Sequence, residues 1–243
     1  MKSLKIAFII ITCLLAGCSQ AANVPAQDSA IHVPDSDGSG TEKQQLEAYS
    51  LHFKEAALEA PVKSIDATDL TNVLTKQKID EYTIYFYEEK GLNEENVRAA
   101  IGMGTKLFDI GQVGYAALDP DQYTVNQVQA LDQSYIKVNG ACGANCPISY
   151  YIQPDISTPM SLRIEAHTVE ADVDQDGIKD IVASVGTAAD TSIYKLRDGH
   201  IVVANLNETL DAQAVIYDNE SNTFGDGTRN WRVKEEGLVR FRE

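Results

Sequence analysis

The spacing of hydrophobic positions changes along the chain, and that change is the first guide to its elements. Over residues 42–60, Leu46, Tyr49, Phe53, Ala57 and Ala60 recur near the helical period, and Pro61 would stop such a helix. Residues 66–76 read as a second short helix. Residues 82–87 (YTIYFY) are β-branched and aromatic and predict a buried strand. Asn93 stands where it could cap a helix over 94–108, with acids in the first turn where the dipole favours them. A further short helix is expected after Tyr123, capped by Thr124. From Tyr135 onward the pattern becomes strand-like, over 135–138, 148–152, 162–168, 180–185, 192–196, 201–205, 214–217, 231–234 and 238–242. Asp198-Gly199, Asn219 to Asn222, Asp226-Gly227 and Glu236-Gly237 supply the turns. The expectation is an α+β fold, with a helix-rich N-terminal half and an antiparallel β meander in the C-terminal half. No internal repeat of solenoid or propeller period is present.

The N-terminus has a different pattern. Lys2 and Lys5 precede an apolar run, residues 6–15, that is short for a membrane span and about right for the core of a signal peptide. It leads into Leu15-Ala16-Gly17-Cys18. This sequence resembles the lipobox of bacterial lipoproteins. The resemblance implies a thioether-linked diacylglycerol on Cys18, palmitate-type acylation, and cleavage of residues 1–17. Residues 18–41 are rich in Ser, Ala, Asp, Gly and Pro and hold no aromatic residue, so they read as a flexible tether. Asp35-Ser36-Asp37-Gly38 lacks the later ligands of a calcium loop and reads as solvated linker. The body is then 42–243, divisible into a helix-rich 42–134 and a β-rich 135–243. The expected location is extracytoplasmic and membrane-anchored, on the outer face of the cell membrane or, in a two-membrane host, on either membrane.

Composition narrows the partners. The chain has 243 residues and is 44% hydrophobic, enough for a substantial core. Its net charge of −16 repels nucleic acid and anionic lipid heads and favours cations. No later run is long and apolar enough for a transmembrane helix, so membrane contact is expected through the lipid alone. With Cys13 in the signal and Cys18 lipidated, Cys142 and Cys146 remain as an even pair, which in an oxidising compartment favours a local disulfide.

The best chemical signal is Asp172-Val173-Asp174-Gln175-Asp176-Gly177-Ile178-Lys179-Asp180. Alternate carboxylates on a tight loop converge on one point, as a hard cation with six to eight oxygen ligands requires. Gly177 permits the sharp turn. The twelfth position is Ala183, where an EF-hand needs Glu, and a strand follows instead of a helix. The pattern D-x-D-x-D-G-x-x-D with apolar residues after it resembles the calcium loops of FG-GAP and VCBS repeats. That resemblance implies a structural Ca²⁺ held by Asp172, Asp174, Asp176 and Asp180 and by the Ile178 carbonyl. Propellers of that kind carry several copies and this chain has one, which favours a lone hairpin site. The longer stretch, residues 174–196, also looks like uncharacterised lipoproteins of Gram-positive bacteria.

Other motifs are weak. Cys142-Gly143-Ala144-Asn145-Cys146-Pro147 resembles the copper motif of Sco-type assembly proteins, but no βαβ frame surrounds it. Ser134–Lys137 and Ser192–Lys195 match S-x-x-K without its partner motifs. Gly102-Met103-Gly104 is no phosphate loop, and His32, His52, His167 and His200 are scattered. Trp231, on an alternating strand with Val233, reads as a packing residue. The leading expectation is a non-enzymatic envelope module that binds a protein, glycan or small ligand. An envelope hydrolase using carboxylates or calcium, and a redox or copper carrier through the cysteine pair, are the alternatives.

Overall fold

The computed structural model describes residues 47–56, 59–88, 96–115, 119–141, 146–154, 157–186 and 189–242. The signal segment, Cys18, the tether, His32, Asn93, Glu94 and Cys142 lie outside the described residues.

Where a helix is expected over 42–60, the described residues form short strands instead: β1 (Ala48–Ser50), β2 (Lys54–Glu55) and β3 (Glu59–Pro61). Tyr49, Leu51 and Phe53 all pack into one core, so the period that matters here is two. Each strand closes the edge of a different neighbour: β1 pairs with residues 237–239, β2 with 202–203, and β3 with 160–162. β4 (Lys63–Ile65) and a 3₁₀ turn (Ala67–Asp69) lead into the meander β5 (Val73–Ile79), β6 (Tyr82–Glu88), β7 (Asn96–Met103) and β8 (Lys106–Tyr115). In place of the helix expected over 66–76 stand the 3₁₀ turn and the start of β5, and the described part of 94–108 lies in β7 and β8. Val97, Ala99 and Ile101 alternate inward on β7, and Phe108 and Ile110 on β8. Burial against a sheet partner overrides alanine's helix preference.

β9 (Thr124–Ala130), also expected as a helix, pairs with β10 (Gln133–Ala141). β11 (Pro147–Gln153) and β12 (Met160–Ile164) continue that sheet. A second sheet holds β13 (His167–Ala171), β14 (Asp180–Val185), β15 (Asp190–Arg197) and β16 (His200–Asn205), with β2 at its edge. After the helix α1 (Leu206–Leu210) come β17 (Ile216–Asp218), β18 (Thr223–Gly225), β19 (Asn230–Lys234) and β20 (Gly237–Phe241), a third sheet closed by β1. Among the described residues the protein is therefore almost wholly β, with α1 its one α-helix, and the α+β expectation is overturned.

Three cores alternate with these sheets. The ten-stranded first sheet folds on itself, so that Ile84, Phe86, Val97, Ile101 and Phe108 pack against Ile136, Val138, Ile148 and Ile152. The opposite face of β10–β12 presents Tyr135, Tyr151 and Leu162 to Ile181, Ala183 and Ile201 of the second sheet. The far face of the second sheet presents Val182, Ile193 and Ala204 to Phe224, Trp231, Val233 and Leu238 of the third. Successive residues of β11 and β14, such as Tyr150–Tyr151 and Ile181–Val182, thus point into different cores, so apolar residues stand side by side in both strands. Buried polar groups bridge the layers: Lys137 Nζ donates to Glu170 Oε1 (2.7 Å) and to the Thr168 carbonyl (3.0 Å), and Tyr151 Oη donates to Glu170 Oε1 (2.5 Å). Residues 44–243 form one compact unit, and the pairing of β9 with β10 runs across residue 134.

Candidate metal centre

The acidic loop, residues 172–179, joins β13 to β14, which are antiparallel neighbours. It is a hairpin loop, and its chain reversal uses positive φ at Gln175 (64°) and Gly177 (93°). Its own carboxylates hold it in shape. Asp172 Oδ1 accepts the Asp176 N–H (3.0 Å) and Oδ2 accepts the Gly177 N–H (3.0 Å), while Asp176 Oδ1 accepts the Ile178 N–H (2.8 Å). Two outside contacts fix its ends. Asn222 Nδ2 donates to the Asp172 carbonyl (2.9 Å), and the Leu131 N–H donates to the Lys179 carbonyl (2.7 Å).

This scaffold gathers Asp172, Asp174 and Asp176. One carboxylate oxygen from each lies within 4.8 Å of the others, a set that could hold a metal ion. All are hard oxygen donors, suited to a cation of the alkaline-earth type. Asp174 is the buried member, with its side chain 8% exposed. Its Oδ1 is buried and has no hydrogen-bond partner. A carboxylate oxygen in that state is costly unless something positive reaches it.

Two expected ligands stand differently. Asp180 opens β14 with its side chain 2% exposed, and it is outside the group of three. Its Oδ2 accepts the Val173 N–H (3.3 Å). Ile178 gives its amide to Asp176.

Between Asp174 and Asp180 lies Lys195, a residue of β15 outside the loop motif. Its Nζ is 2.5 Å from Asp174 Oδ2, 3.4 Å from Asp180 Oδ1 and 3.8 Å from Asp176 Oδ2, with the side chain 6% exposed. Ile181 pairs with Tyr194 across β14 and β15, and this register sets Lys195 beside Asp180. Burial pushes the Asp180 carboxyl up to about 7, with Lys195 pulling it down and Asp174 pushing it up. For Lys195 burial acts downward, but the surrounding carboxylates win and its pKa is raised. The signal for Lys195 was its alternation with Ile193 on the inward face of β15.

The remaining candidates have structural surroundings. Lys137 and Lys195, from the S-x-x-K matches, lie on strands β10 and β15 and are paired with acids. Cys146 is disulfide-bonded. His52, His167 and His200 are exposed. Trp231 is fully buried and donates its indole N–H to Asp226 Oδ2 (3.0 Å). Beside the acidic loop a cleft of about 370 Å³ is lined by Asp174, Gln175, Asn222, Arg232, Arg240 and Phe241, among others.

No family model, no curated protein and no solved structure matches this chain. Among the described residues no helix is long and apolar enough to cross a membrane.

Proposed function

We propose that this chain is a lipid-anchored extracytoplasmic binding module whose β body carries a structural Ca²⁺ site at residues 172–179. The carrying observation is the convergence of Asp172, Asp174 and Asp176 around a buried, unpartnered Asp174 Oδ1. Ca²⁺ accepts irregular oxygen sets of this kind, whereas Mg²⁺ demands near-octahedral geometry and keeps more water. The Ile178 carbonyl and water complete the shell, and Asp180 supports the site from behind without ligating. The lipobox-like segment ending at Cys18 supports the anchor, and the charge of −16 supports a cation over nucleic acid as the small partner. The cleft beside the loop, with Arg232 and Arg240 on its wall, is the proposed seat for a protein, glycan or small ligand.

Calorimetric titration of the purified chain with Ca²⁺ tests the site. The expected dissociation constant is on the order of 10⁻⁴–10⁻³ M, the range of extracellular calcium modules. Asp176→Asn, at a half-exposed ligand outside the core, should weaken it about tenfold or more. No heat and no competition with Mg²⁺ in the native chain would refute the site. Mass spectrometry of the N-terminal peptide tests the anchor: a diacylglycerol adduct on Cys18 is expected, and an unmodified cysteine contradicts it.

A further inference from the structure

Lys195 is a full positive charge inside a cation site, and metal binding alone gives it no role. We propose that Lys195 is a built-in counter-cation that competes with the metal ion for Asp174 and Asp176, holding the site at weak affinity and letting the hairpin fold without the ion. This rests on the metal-site reading above.

The geometry sets the competition. Asp174 and Asp176 supply two of the three converging carboxylates, and the Lys195 ammonium is 2.5 Å from one and 3.8 Å from the other. Any ion held by the three is a close neighbour of that ammonium. Lys195 and Asp174 are 6% and 8% exposed, so water and salt screen the repulsion poorly. Asp180 is drawn out of the ligand set by the same ammonium, at 3.4 Å. The ammonium also meets only half of Asp174: Oδ2 is taken while Oδ1 remains buried without a partner. That oxygen is the foothold from which an ion can displace the lysine.

The arrangement has a use in the metal-free chain. Asp174 and Asp180 are both buried at one end of β14, and an uncompensated pair there would be strongly destabilising. Lys195 meets both from the neighbouring strand and offsets part of their charge. The hairpin therefore folds before any ion arrives, and the site fills only where Ca²⁺ is abundant. A site lacking the lysine would bind more tightly and would need its ion to fold.

The test is Lys195→Met in the full chain, read by Ca²⁺ calorimetry and by thermal unfolding in EDTA and in Ca²⁺. Methionine keeps most of the stem's length and removes the charge. The expected result is a dissociation constant at least about tenfold lower than in the native chain. The unfolding midpoint should fall in EDTA and recover in Ca²⁺. An unchanged or weaker affinity in the variant, with the native chain binding, overturns the competition and leaves the metal site standing. Absence of Ca²⁺ binding in both proteins overturns the competition and the site together. Should the variant fail to fold even with Ca²⁺, acetylation of Lys195 in the native chain, followed by mass spectrometry, decides. Ca²⁺ should raise the Lys195 acetylation rate severalfold, and an unchanged or lower rate overturns the proposal.

Discussion

Individual carboxylates in this protein differ sharply in what surrounds them, and that decides their roles. Asp226 is the contrast to Asp180. Burial would push its carboxyl up, but the Thr228 hydroxyl (2.7 Å) and amide (2.9 Å), the Trp231 indole N–H (3.0 Å) and the Arg229 amide (2.7 Å) outweigh it. Its pKa is held well below the usual carboxylate range. Because the folded pKa is the lower one, Asp226 contributes stability that is full above the ordinary value near about 4 and is lost as pH falls below it. Asp226→Asn should destabilise the fold by about 2 kcal/mol at neutral pH, since its amide would set N–H against N–H. The difference between native and variant should shrink as pH is lowered from 5 to 2, in denaturant unfolding followed by Trp231 fluorescence. A difference that stays constant with pH would contradict this. At the same scale, the loop carboxylates were legible because their spacing alone brings them together. Lys195 was not, because it lies fifteen residues beyond Asp180 and reaches the loop only through the pairing of β14 with β15.

At the scale of elements, most strands of the second half were legible, whereas in the first half only β6, expected over 82–87, was. β14 runs Ile181-Val182-Ala183, and β15 alternates Thr191, Ile193 and Lys195 inward, so each pattern has one reading. β7 reads NVRAAIGM, and its alanines favour a helix when considered locally. Its strand state comes from pairing with β6 and β8, including a register shift between Ala99 and Ala100. β1, β2 and β3 are too short to announce themselves, and each exists only because an edge of one sheet receives it. The joint between β8 and β10 was equally hidden. There Ala141 pairs in parallel with Gly114, and a Cβ on Gly140 would lie 1.9 Å from the Val113 carbonyl oxygen. Because that obstacle is backbone, it cannot rotate away. Gly140→Ala should cost about 2–3 kcal/mol through forced separation of the two strands. Chemical denaturation measures it, and a loss within about 0.5 kcal/mol would show that the joint yields easily.

At the scale of the whole molecule, the layers are tied by polar contacts as well as by their cores. Lys137 and Glu170 link the first sheet to the second. The acidic loop lies between all three: its Lys179 carbonyl is held by Leu131 of the first sheet's β9–β10 turn, and its Asp172 carbonyl by Asn222 of the third sheet's β17–β18 turn. An ion that tightens this loop therefore stabilises the stack and not merely one hairpin. The measurement that bears most directly on the account is thermal unfolding of the native chain and of Asp176→Asn, each in EDTA and in Ca²⁺ at about ten times the dissociation constant. Binding at that level adds about 1.4 kcal/mol, or a rise of about 3–6 °C in midpoint for a body of this size. That rise is expected in the native chain, a much smaller one in the variant, and the native chain should fold in EDTA. Equal midpoints with and without Ca²⁺ in the native chain, or an equal rise in both proteins, would contradict it.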